Sequence, residues 1–113
     1  MKLFGIKNCD TVRKARKWLD QHGADYQYHD FREQGLEESQ VKAWLARVPA
    51  ERLVNKRSTT WKQLDEATRE NLSGDNLPAL LAAHPTLIKR PVLEIGEQVH
   101  TGFSEKTYQQ LIN

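Results

Sequence analysis

The chain has 113 residues, with 17 Lys or Arg, 15 Asp or Glu, one cysteine and a formal charge of +2. This length supports one modest core, a single cysteine excludes both an internal disulfide framework and a multi-cysteine zinc site, and so small a charge does not by itself attract nucleic acid or an anionic membrane. Three Trp, three Tyr and three Phe supply apolar area to offset chain entropy, so a folded chain is expected. No apolar run reaches bilayer length, and Met1-Lys2-Leu3-Phe4-Gly5-Ile6-Lys7 lacks the apolar stretch of a signal peptide. A soluble, cytoplasmic protein is expected, its thiol reduced unless it is working.

Met1 to Ile6 reads as a short buried strand, ended by Lys7-Asn8. Asn8 is a good helix N-cap, and Val12, Ala15 and Leu19 then recur at helical spacing until Gly23 stops the helix. Tyr26 and Tyr28 alternate with polar neighbours between Ala24 and Phe31, which predicts a second strand and a βαβ-sized unit. Leu36, Val41, Trp44, Leu45 and Val48 fall near one helical face, which Pro49 closes. Arg52 to Asn55 reads as a short helix or turn, and Ser58-Thr59-Thr60 caps a helix carrying Trp61, Leu64 and Ala67. Ser73 to Asn76 reads as a loop. Leu77, Leu80 and Leu81 share a helical face, with Pro78 in the first turn. Pro91 to Ile95 and Gln98 to Thr101 read as strands joined by a two-residue Gly96-Glu97 turn. Ser104 caps a last helix, with Phe103 and Tyr108 as a hydrophobic staple. The order is βαβ, a helical block, then ββα. The two ends form one four-stranded mixed α/β sheet flanked by helices 9–22 and 104–112, with an insertion at about 33–85.

Cys9 is the most informative residue. It follows the first strand at a helix start, where free backbone N–H groups and the helix dipole favour negative charge. The sulfur is therefore expected to ionise more readily than a free thiol. Arg13, one turn on, and Lys7 add positive potential, whereas Asp10 opposes them; Thr11 offers a hydroxyl and an N–H. The same helix start accepts a bound oxyanion or carboxylate. The competing reading is an inert packed thiol, the commoner fate of a lone cysteine; polar Asn8 and Asp10 on either side speak against it. Arg90 is restricted to an extended backbone by Pro91, whose preceding bond has a cis option. Arg90 is either a surface residue or a rigid fork for a carboxylate or oxyanion. Arg57 is either solvent-exposed or a second such group. His22, His29, His84 and His100 lack metal-ligand spacing, so no metal is expected. There is no phosphate loop and no nucleophile elbow, and the basic stretch 13–17 reads as a solvated face.

Asn8-Cys9-Asp10-Thr11-Val12-Arg13-Lys14-Ala15 resembles the Cys-x-Thr-x-Arg loop of the arsenate-reductase-related (ArsC/Spx) family. His84-Pro85-Thr86-Leu87-Ile88-Lys89-Arg90-Pro91-Val92 is similar to that family's His-Pro-x-Leu-Ile-x-Arg-Pro run. The resemblance covers essentially the whole chain and is strongest to the YffB-like branch. It implies a single thioredoxin-like domain over 1–113. It also implies Cys9 as nucleophile, with Asn8, Thr11 and Arg13 lining an anion pocket. Arg90 would bind an oxyanion or a glutathione carboxylate, and Pro91 would be a cis-proline facing the thiol. Arg57 fits the Asn-x-Arg-Ser-Thr-Thr pattern of Spx and YffB-like members; the arsenate reductases have the corresponding arginine where this chain has Asn55.

Three departures from the family matter. Val12 stands where a Cys-x-x-Cys switch has its second cysteine. Gly102 stands where the arsenate reductases carry a further arginine, which weakens an arsenate site because charge-assisted bonds are the strong ones. The chain also stops soon after its last helix, without a longer tail. The resemblance then implies a glutathione-dependent thiol oxidoreductase, with glutathione as co-substrate and glutaredoxin as a candidate partner. The alternatives are arsenate reduction coupled to glutathione and glutaredoxin, or an Spx-like RNA polymerase-binding regulator without a redox switch. A monomer is expected, with no membrane and no direct nucleic-acid contact.

Overall fold

Alternation in the first strand sets the core. Leu3 and Phe4 point to opposite faces of the pleat, and both are buried. The structure, a computed structural model, describes residues 1–70 and 76–112. In chain order it contains β1 (Lys2–Gly5), α1 (Asp10–Gln21), β2 (Gln27–Asp30), α2 (Phe31–Gln34), α3 (Glu38–Leu45), α4 (Ala50–Leu53), α5 (Thr59–Gln63), α6 (Glu66–Glu70), α7 (Leu77–Ala83), a 3-10 turn (Pro85–Leu87), β3 (Val92–Ile95), β4 (Gln98–Thr101) and α8 (Glu105–Ile112). The expected loop at 73–75 lies outside the described residues. The chain divides into two compact units, Met1–Gly35 with Arg90–Asn113, and Leu36–Lys89.

The first unit holds one mixed sheet in the order β2-β1-β3-β4, the thioredoxin-like arrangement. β1 pairs parallel with β2, Gly5 opposite Asp30, and antiparallel with β3, Leu3 opposite Leu93 and Phe4 opposite Val92. Leu3 and Leu93 share a face, and Ala15, Trp18, Leu19 and Tyr108 close over it from α1 and α8. Burial of each large apolar side chain there contributes about 1.5–3 kcal/mol. On the other face the Phe4 ring meets His29 and Phe31 at 5.0 and 6.3 Å. The β3–β4 hairpin turns on Gly96-Glu97 between paired Ile95 and Gln98, with Gly96 at φ 57°, as a Gly-first turn requires. The Phe103–Tyr108 staple forms, with the rings edge-on at 4.8 Å, while Ser104 Oγ accepts the Thr107 N–H.

The second unit is helical. α3 and α7 pack together, burying Val41 and Trp44 from one and Leu77 and Leu81 from the other. An antiparallel bridge between Val54 and Ile88, with Lys89 N–H donating to Leu53 O at 2.8 Å, ties the middle of this unit to its last residues.

Four expectations are corrected. The cap of α1 is Cys9 rather than Asn8: Cys9 is extended (φ −119°, ψ 121°) and its carbonyl accepts the Arg13 N–H. The second strand ends at Asp30, because Asp30 caps a helical turn over Phe31–Gln34. The short helix or turn expected over 52–55 is a helix that spans Ala50–Leu53, and Val54 is extended into its bridge. The helix expected across Trp61, Leu64 and Ala67 is two helices. Leu64 is extended, and Asp65 Oδ1 takes the Thr68 N–H to open the second.

Candidate functional site

Three chain segments meet at one end of the first unit's sheet. β1 and β2 run parallel and finish together, and antiparallel β3 starts beside them, so the Lys7–Cys9 turn, Asp30 and the Arg90–Pro91 pair share that end. Gly102 joins them, its N–H donating to Pro91 O at 2.9 Å.

Cys9 is half-buried and holds the N-cap position of α1. At an N-cap, Ser, Thr or Asp would turn an oxygen toward the first N–H groups of the helix. Here that place is taken by Sγ, which makes no capping hydrogen bond. Those donors and the positive helix end can receive an anion brought to the turn. Close packing under the turn comes from Gly5: a Cβ there would sit 2.7 Å from Val12 Cγ2, so only glycine lets the first turn of α1 lie this near β1.

The predicted site residues divide as follows. Asn8 is exposed in the turn and Thr11 is half-buried in the first turn of α1. Arg13 is exposed, and its guanidinium is bonded to Asp10 one turn back rather than free. The Arg90–Pro91 bond is cis and Pro91 is buried. Arg90 is half-buried, and its Nε and Nη1 are closed off from solvent with no acceptor among the described residues. Arg57 lies in the second unit; it is exposed, with its backbone N–H donating to Asn55 Oδ1 at 3.1 Å.

One residue of this sheet end was missed in the sequence. Asp30 is 3% exposed. Its Oδ1 accepts the N–H groups of Arg32 and Glu33 at 2.8 and 3.1 Å, and its Oδ2 accepts the Lys7 N–H at 3.0 Å and the Tyr28 hydroxyl at 3.3 Å. Burial pushes this carboxyl up, but the N–H donors of Glu33, Arg32 and Lys7 and the Tyr28 hydroxyl outweigh burial and hold it below the usual carboxylate range. Burial first, and then the Asp30 charge, push Tyr28 up to about 12. Asp30 followed three residues later by Glu33 is a helix-start signal that could have revealed the cap.

Comparison with known proteins shows what the whole chain is similar to. Residues 4–111 match the ArsC family. A Haemophilus influenzae protein of uncharacterized role is 44% identical over 107 residues, covering 95% of this chain and 94% of its own. A solved structure named YffB is 38% identical with a TM-score of 0.92, covering 99% of this chain and 98% of that one. An arsenate reductase (ArsC) related protein from Brucella melitensis is 40% identical with a TM-score of 0.77, covering 96% and 91%.

Proposed function

The chain belongs to the ArsC family, related to arsenate reductases, and from that premise we propose that it is a glutathione-dependent thiol oxidoreductase acting through the single nucleophile Cys9. The observation that carries the reading is the Arg90 guanidinium, whose buried Nε and Nη1 have no acceptor among the described residues, at the sheet end where Cys9 opens α1. A buried charged donor without a partner is costly, and a carboxylate or oxyanion received there offsets that cost with a strong bond. Glutathione carries two carboxylates beside its thiol and so suits both this fork and the first-turn N–H groups.

The Cys9 thiolate attacks the glutathionyl sulfur of a mixed disulfide. The S–S bond breaks, the substrate leaves as a thiolate and takes a proton, and Cys9 is left bonded to glutathione. With Val12 where a second cysteine would resolve this adduct, a free glutathione thiolate attacks it, regenerating Cys9 and leaving as glutathione disulfide. One disulfide is reduced and one is formed, so electrons balance. Asn8, Thr11 and the N–H groups of the first turn bind the glutathionyl backbone, Pro91 forms the wall beside it, and Arg13 completes the anion-binding side by exchanging Asp10 for a glutathione carboxylate. Gly102, which has no side chain where a third arginine would stand, speaks against arsenate as the substrate.

The test is a coupled assay that follows glutathione disulfide released from a glutathionylated peptide. Turnover should vanish in Cys9→Ser. Arg90→Ala should raise the glutathione concentration for half-maximal rate about tenfold, as loss of a charge-assisted bond implies; Arg57→Ala is measured alongside. Wild-type turnover no faster than Cys9→Ser would contradict the proposal.

A further inference from the structure

We infer that Asp30 is the positioning residue of the Cys9 site: its carboxylate fastens the Lys7 amide and so fixes the turn that delivers Cys9 from β1 to the start of α1. The inference rests on the reading of Cys9 as the nucleophile.

Asp30 is the one charged side chain buried among the described residues. Capping α2 does not require that charge, because Asn or Ser caps a helix as well as Asp, and a buried carboxylate is costly. The cap uses only Oδ1, which takes the Arg32 and Glu33 N–H groups. Oδ2 turns away to the Lys7 N–H, 23 residues back in the chain and two before Cys9. This second acceptor is what Asn and Ser cannot supply while they cap. A further link runs the same way, since Lys7 Nζ is bonded to the Glu33 carboxylate of α2. The register explains the reach: Gly5 pairs with Asp30, so the turn leaves β1 directly beside the end of β2. The turn is thus held at Lys7 by Asp30 and at Cys9 by the Arg13 N–H bonded to its carbonyl. A sulfur at an N-cap is useful only while its residue stays at the helix start, because the influence of the helix end fades within the first turn.

The experiment is the pH–rate profile of Cys9 alkylation by iodoacetamide in wild type and Asp30→Asn. Asn keeps an oxygen for the α2 cap but sets an N–H group against the Lys7 N–H. The profile midpoint should move upward and the rate at neutral pH should fall about threefold or more, because the thiolate fraction falls. Removing a nearby negative charge with no loss of position would move the midpoint downward. A downward or unchanged midpoint therefore overturns the inference. Should Asp30→Asn not fold, amide exchange in the wild type decides. The Lys7 amide should be protected, and exchange at the rate of an unstructured peptide overturns the inference. A wild-type Cys9 that fails to react sinks the nucleophile reading; a reactive wild type whose profile Asp30→Asn reproduces sinks only this inference.

Discussion

Cys9 and Asp30 are linked through one turn, in which Asp30 Oδ2 accepts the Lys7 N–H two residues before Cys9 caps α1. Cys9 is flanked by polar residues just after an apolar strand, so its place at a helix start follows from local pattern alone. Its exact position, at the cap rather than inside the first turn, depended on Asn8 staying in the turn. Asp30 looked like one more polar residue in an alternating strand. Its burial comes from β1 and the Lys7 turn, which lie far away in sequence. The hydrogen bonds that hold its carboxyl ionised carry a stability consequence. A carboxyl held below its unfolded value near 3.8 contributes stability that is complete above that value and is lost as pH falls through the folded one. Wild type should therefore unfold at higher denaturant than Asp30→Asn at neutral pH, with the difference shrinking as pH falls below the unfolded value. A gap that stays constant into acid would contradict this sign.

At the scale of elements, the parts fixed by local chemistry were legible. The Gly96-Glu97 hairpin and the Ser104 cap with its aromatic staple form where turn and cap residues stand. The split between α5 and α6 was not legible, because Trp61, Leu64 and Ala67 keep helical spacing across it and only Asp65, acting as a new cap, breaks the run. The packing of α1 on β1 was also hidden, since nothing local shows that Gly5 lies under Val12. A methyl added at Gly5 meets Val12 Cγ2 at 2.7 Å and Cγ1 at 3.0 Å. Gly5→Ala should cost about 1–3 kcal/mol by overpacking, measured by denaturant unfolding. Adding Val12→Ala should return part of that loss. Purely additive losses in the double variant would show that the two side chains do not meet.

At the scale of the whole molecule, the sheet that frames Cys9 is assembled from Met1–Gly35 and Arg90–Asn113, with Leu36–Lys89 forming its own compact helical unit. The βαβ and ββα halves were readable from periodicity, but their joining into one sheet was an inference from connection rules, and the strand order β2-β1-β3-β4 now gives it a register. That register brings residue Arg90 to the sheet end that Cys9 follows, a juxtaposition no window of sequence contains. No helix among the described residues is long and apolar enough to cross a membrane. The central claim is that the sulfur of Cys9 is an accessible nucleophile that forms a mixed disulfide with glutathione. Intact-mass measurement after incubation with glutathione disulfide near neutral pH tests it most directly. The folded wild type should gain one glutathionyl group that excess thiol removes, and Cys9→Ser should gain none. A folded wild type that stays unmodified, while the same chain takes up the group once denatured, would contradict the claim.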